Sequence, residues 1–167
     1  MSDESWDLVD EIVGQWREER PDLEGMPMAV FGRLNRVDRA ANAAIEACLS
    51  EHGLSRGEFD VLATLRRSGK SYKLAPTALA RWMMLSSAAM TNRVDRLEAA
   101  GLVERRPDPA DRRGVLVALT PDGRRVVDAA VADHVENERR LLEVLSEEEQ
   151  RMLNELLRKL LLGWGAG

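Results

Sequence analysis

Apolar residues recur at helical spacing along most of this chain, and the interruptions mark where the helices end. Residues 7–19 carry Val9, Ile12, Val13 and Trp16 on one face, which predicts a short amphipathic helix. Arg20-Pro-Asp-Leu-Glu-Gly-Met-Pro27 breaks it. A long helix is then expected over residues 28–52, with Phe31, Leu34, Val37, Ala41, Ile45, Cys48 and Leu49 along one stripe and Gly53 as its stop. Ser55 and Glu58 have capping-box spacing for a third helix over residues 58–67, with Phe59, Leu62 and Ala63 inward. Thr120 and Pro121 start another helix, to about residue 145. Ser146 with Glu149 caps a last one, whose Met152, Leu153, Leu156, Leu157, Leu160 and Leu161 form a wide apolar face.

The stretch between residues 74 and 125 has a different rhythm. Pro76 suits the first turn of a short helix over residues 77–84. Ser86 and Ser87 are N-cap candidates for a second helix over residues 88–100, and Gly101 sits where a left-handed residue would end it. At about 100° per residue, Met90, Val94 and Leu97 share a packed face while Thr91, Asn92, Asp95 and Arg96 point away. Residues 103–106 and 115–119 read as short strands. The prolines and glycine of residues 107–114 between them predict a projecting hairpin tip bearing Arg112 and Arg113. Helix, tight turn, outward polar helix and basic hairpin together form a docking unit for the DNA major groove and its flanking backbone or minor groove. Ser86 and Ser87 would lie near phosphate, Thr91, Asn92 and Arg96 near base edges, and Arg113 at a minor groove or phosphates.

Net charge, −5 over 167 residues, at first argues against a nucleic-acid partner. The distribution reverses that reading. Residues 66–125 hold thirteen Lys/Arg against six Asp/Glu, a local +7, so the remainder carries −12. Phosphate attraction depends on the local field, and a basic middle in an acidic frame is an electrostatic docking face.

Catalysis finds no support: neither histidine stands beside a plausible nucleophile, no Gly-rich phosphate loop is present, and no cofactor is called for. Cys48 and His52, i and i+4 on one helix, have a spacing that would co-ligate a metal with His134 or a second subunit's carboxylates. The plainer reading, a buried thiol beside a histidine suited to a helix C-terminus, is preferred. One cysteine excludes an internal disulfide, and no apolar run approaches a membrane span or an export leader, so a cytoplasmic protein without a membrane partner is expected.

Leu85-Ser-Ser-Ala-Ala-Met-Thr-Asn-Arg-Val-Asp-Arg-Leu-Glu-Ala-Ala-Gly-Leu-Val-Glu-Arg-Arg106, followed by Asp108-Pro-Ala-Asp-Arg-Arg113 and Leu119-Thr-Pro-Asp-Gly123, resembles the winged-helix core of MarR-type bacterial transcription regulators. The resemblance implies a mostly α fold with a small β-wing (α+β), in which terminal helices intertwine as a two-fold dimer. Asp111 resembles the family's acidic partner that orients the wing arginine. Some members use one cysteine as a peroxide sensor, which keeps a redox or metal-sensing alternative through Cys48 and His52.

Asp60 and Arg67 lie seven residues apart on one face of the third helix, roughly 10 Å along it, and would flank one bound molecule rather than pair. Arg93 is turned toward the body of the protein rather than the outermost reading positions. The plainer alternative is a solvated helix for Asp60 and Arg67 and core packing for Trp16. Trp16, Asp60, Arg67 and Arg93 match in type and order the urate-responsive, PecS-like branch of the family. That match implies a small anionic ligand.

The expectation is therefore a homodimeric, ligand-responsive repressor on a palindromic double-stranded operator. Residues 1–53 would serve dimerisation and cover the pocket, residues 54–120 would bind DNA, and residues 121–167 would dimerise. A winged-helix dimer that binds protein instead of DNA is the rival, and the basic Arg112 and Arg113 with outward Thr91 and Asn92 speak against it.

Overall fold

A computed structural model of the chain describes residues 6–84 and 86–165, with Ser87 and Arg112 described by backbone alone. The elements run α1 (Leu8–Glu19), α2 (Gly25–Ser50), α3 (Arg56–Arg67), β1 (Lys73–Leu74), α4 (Pro76–Trp82), α5 (Ser87–Ala99), β2 (Val103–Asp108), β3 (Asp111–Leu119), α6 (Pro121–Leu141) and α7 (Glu147–Gly163). They divide into two compact units, residues 1–44 and 45–167, with the boundary inside α2.

In the first unit, Asp7 caps α1: its carboxylate accepts from the N–H groups of Val9 at 2.8 Å and Asp10 at 3.1 Å. Arg33 of α2 bridges Asp7 at 2.9 Å and Asp10 at 2.7 Å, so an ion-pair cluster fastens the start of α1 to α2. Val9 is buried beside Gly32. The α2 helix begins at Gly25, three residues before the expected start, because Pro27 falls in its first turn, where N–H groups have no acceptor within the helix.

The second unit holds the main core. Leu49, Phe59, Leu62, Leu65, Leu79, Met90, Val94, Leu97, Val103, Val117 and Val127 are buried in one cluster. Met90, Val94 and Leu97 are the inward face expected of α5. Helix α3 opens on the expected capping box, with Ser55 Oγ accepting from Glu58 N–H at 3.4 Å and Glu58 Oε2 accepting from Ser55 N–H at 2.9 Å. Gly101, at φ +72°, ends α5 in a Schellman turn: Leu102 N–H donates to Leu97 O and Gly101 N–H to Glu98 O, both at 2.9 Å.

The sheet has the order β1-β3-β2, all antiparallel. Two features differ from expectation. Strand β1, only two residues long, carries no periodic signal and exists because Lys73 and Leu74 pair with Ala118 and Val117. The hairpin tip is also shorter than residues 107–114, since strand pairing continues to Asp108 and Asp111 and leaves Pro109-Ala110 as the turn. Pro107 is tolerated inside β2 because β2 is an edge strand, whose outward side needs no donor.

Phe31 and Val37 of the α2 stripe are exposed, and so are Leu153, Leu156, Leu157, Leu160, Leu161 and Trp164 on α7. Helix α6 stops at Leu141, four residues before the expected end, and turns into α7 through Ser146, whose Oγ accepts from Glu149 N–H at 3.3 Å. Among the described residues, no helix is long and apolar enough to cross a membrane.

Candidate nucleic-acid interface

Helix α5 starts at Ser86, whose Oγ accepts from Ala89 N–H at 3.3 Å, which leaves the hydroxyl proton on an exposed helix N-terminus. The helix dipole and the first-turn N–H groups favour an anion at such a position. The side chain of Ser87 lies outside the described residues. Thr91, Asn92 and Arg96 are exposed, opposite the buried face of the same helix.

Asp95 and Glu98 would repel DNA from this helix if left uncompensated. Arg105 of β2 gathers both, with Nη2 2.5 Å from Asp95 Oδ1 and Nη1 on Glu98 Oε2, while its N–H donates to Glu98 Oε1 at 3.0 Å. The arginine thus offsets part of the negative charge of α5 and ties the root of the wing to it. Sequence reasoning did not single out Arg105, since its partners are seven and ten residues away and only the α5–β2 packing brings them together.

At the wing tip, Asp111 Oδ1 accepts from the backbone N–H of Arg113 at 2.9 Å, and Asp108 Oδ1 accepts from Ala110 N–H at 2.9 Å. Asp111 therefore orders the backbone that carries Arg113, whose side chain is exposed. The side chain of Arg112 lies outside the described residues.

The four residues considered for a ligand occupy distinct places. Trp16, on α1 in the first unit, is 46% exposed, so it is not a core residue. Asp60, half-buried, lies in the middle of α3. Arg67, in the last turn of α3, donates from Nη2 to Thr64 Oγ1 at 3.0 Å and lines a hollow of about 320 Å³ with Ser68, Leu74 and Trp82. Arg93 crosses from α5 to the opposite end of α3. Its guanidinium lies over Gly57, where a Cβ would stand 2.6 Å from Cζ. Only a glycine admits the guanidinium so close to the helix backbone. Glu58 is held below the usual carboxylate range by its bonds to the Ser55 side chain and backbone, with Arg96 and Arg93 adding to the effect.

Cys48 and His52 have different surroundings. Burial, then the negative charges of Asp133 and Glu51, pushes the Cys48 thiol up, the reverse of an activated cysteine. His52 Nε2 instead lies 2.9 Å from Asp133 Oδ2, and His134 lies edge-on to Phe59 and 3.3 Å from Glu138. Among the described residues no cluster of three His, Cys, Asp or Glu is placed to hold a metal.

Recognition helix, compensated charge and a wing with an exposed arginine define a winged helix-turn-helix DNA-binding protein. The MarR family model matches residues 52–114. The chain is 45% identical over 149 residues to the regulator PecS of Dickeya dadantii (strain 3937), spanning 89% of this chain and 90% of that protein. A mutant E. coli MarR complexed with operator DNA superimposes with TM-score 0.70 at 28% identity, over 93% of this chain and 99% of that one. BpsR of Bordetella bronchiseptica, whose DNA binding is regulated by 6-hydroxynicotinic acid, superimposes with TM-score 0.68 at 30% identity, over 78% and 91% of the two chains. The chain belongs to the MarR family: it is a PecS-like DNA-binding transcriptional regulator and not an enzyme.

Proposed function

We propose that this chain is a homodimeric cytoplasmic repressor, released from a palindromic operator by a small planar anion such as urate. The observation that carries the ligand reading is Arg93. A ligand relieves DNA binding only by favouring one posture of the recognition helix over another, so it must engage a group that this helix carries. Arg93 belongs to α5 yet rests on α3 at Gly57, about 15 Å along α3 from Arg67. An anion shared by Arg67 and Arg93 would draw Arg93 off Gly57 and turn α5 with it. Asp60, lying between them, would select a ligand that also offers a donor. BpsR supports the class of ligand, since 6-hydroxynicotinic acid is itself a planar aromatic acid.

On the DNA side, Ser86 and Ser87 would hold phosphates, Thr91, Asn92 and Arg96 would meet base edges, and Arg112 and Arg113 would follow the backbone or minor groove, with Asp111 ordering the tip. Residues 1–53 and 121–167 would supply the dimer interface. The exposed apolar face of α7 supports this, because eight large apolar side chains between Met152 and Trp164 stand uncovered within one chain.

The test is a gel-shift titration with DNA flanking the protein's own gene, with and without urate. Release of DNA in the parent, retained DNA binding but lost release in Arg93→Ala, and lost urate binding in Arg67→Ala are expected. A coupling of about 1–3 kcal/mol would appear as about a 5- to 150-fold loss of DNA affinity. Both variants releasing DNA at the parental urate concentration would place the pocket elsewhere.

A further inference from the structure

A second basic hollow, of about 500 Å³, lies at the root of the wing and includes Tyr72, Arg106, Thr120, Arg124, Arg125 and Asp128 in its wall. Side chains alternate across a strand, so Arg106 faces away from its neighbour Arg105, which is bound to α5. Arg106 is therefore free of the acidic residues of α5 that hold Arg105.

The wall is organised around Tyr72. Its backbone takes φ +48°, a left-handed conformation that is strained for a non-glycine residue and needs compensation from its surroundings. The guanidinium carbons of Arg66 and Arg124 each lie 4.9 Å from the centre of its ring. Asp128 is already engaged by Arg66, with Oδ1 2.6 Å from Nε, and its second oxygen is 3.8 Å from Arg124 Nε. Among the described residues, Arg106 and Arg125 are held by surface pairs to Glu104 and Asp122. Exposed pairs of that kind are weak, so a ligand of higher charge can recruit both guanidinium groups.

We infer that this hollow binds a small multiply charged oxyanion of the phosphate-ester or pyrophosphate class, and that its occupancy adjusts DNA affinity through the wing root. Planar guanidinium forks match phosphate oxygens in pairs, and Thr120 and Pro121 at the start of α6 line the same hollow. The link to α5 is direct. Thr120 Oγ1 donates to Gly101 O at 2.7 Å, Thr120 N–H donates to Leu102 O at 3.1 Å, and a Cβ at Gly123 would stand 1.8 Å from Leu102 O. The first turn of α6 is thus locked to the segment joining α5 to β2. An anion that draws Arg106 toward Arg124 and Arg125 pulls on that segment and tilts the wing. The site is separate from the Arg67 and Arg93 pocket and stands whether or not urate is the ligand there.

Calorimetric titration of the full chain with inorganic pyrophosphate, at ionic strength held constant with sodium chloride, tests the inference. Saturable binding is expected, weakened about tenfold in Arg106→Gln and in Arg125→Gln, as suits loss of one charge-assisted contact. Both side chains are exposed, so unchanged thermal melting without pyrophosphate should confirm that the variants fold. The parent's affinity for its operator should change at saturating pyrophosphate, and that change should disappear in both variants. No saturable binding, or parental binding in both variants, overturns the inference. It is also overturned if the variants lose operator affinity and salt dependence without pyrophosphate, because the hollow would then hold DNA phosphates.

Discussion

The guanidinium of Arg93 lies against Gly57, with its Cζ 2.6 Å from the position a Cβ would take there. A side chain on the recognition helix thereby rests on the first turn of another helix, and glycine at 57 makes the rest possible. Gly57→Ala should push Arg93 aside, because the obstructing atoms are the far end of a flexible side chain. Folding stability should hold or rise by about 0.5–1 kcal/mol, as alanine replaces glycine in a helix. Urate response should weaken toward that of Arg93→Ala. Denaturant melts and a urate titration of the operator complex together check this; a normal response would show that the Gly57 contact is not the switch.

The wing gives a salt-dependent prediction. Asp111 orders the backbone of Arg113, and the exposed arginine projects from it. Arg113→Ala should weaken binding to all operator variants alike and lower the slope of log affinity against log salt by about one unit. Asp111→Ala should weaken binding less and leave the slope nearly unchanged, since no cation is lost. Affinity measured across a salt series separates the two, and an unaltered slope in Arg113→Ala would remove that residue from the interface.

Helix α7 should lose its partner before it loses its structure. Leu156 and Leu160 are 54% and 36% exposed, and glutamate is a good helix former, so the double substitution Leu156→Glu/Leu160→Glu should leave helicity intact. It should convert a dimer to a monomer in light scattering and abolish binding to two symmetric half-sites about 10 bp apart. A dimer that persists in the variant would assign the interface to other surfaces.

Acid should loosen the capped helix starts. Glu58 and Glu149 both sit below their ordinary value of 4.5, each held there by the serine at its cap, Ser55 or Ser146. A depressed carboxylate contributes stability that is complete above the unfolded value and is lost as pH falls through the lower folded one. Stability should therefore decline below about pH 4.5. Ser55→Ala should remove about 1 kcal/mol at neutral pH and flatten that decline, which denaturant titrations between pH 3 and 7 would reveal.

Local chemistry was legible in the chain by itself. The Ser55–Glu58 and Ser146–Glu149 caps, the glycine stop at Gly101 and the Met90, Val94 and Leu97 face depend on neighbours within a few residues, and periodicity encodes such neighbours directly. Basic residues concentrated around a helix and hairpin likewise pointed to DNA. Tertiary packing alone decided the rest. Strand β1 exists only because Lys73 and Leu74 meet a strand more than forty residues later. Arg105 pairs with Asp95 and Glu98 because α5 and β2 pack together, and Arg93 finds Gly57 because α5 lies on α3. Tyr72 was silent for the same reason: its two arginines come from α3 and α6, 58 positions apart in the sequence. Spacing rules register partners one helical turn or one strand position away, whereas these contacts are made by surfaces that meet only after the core has closed.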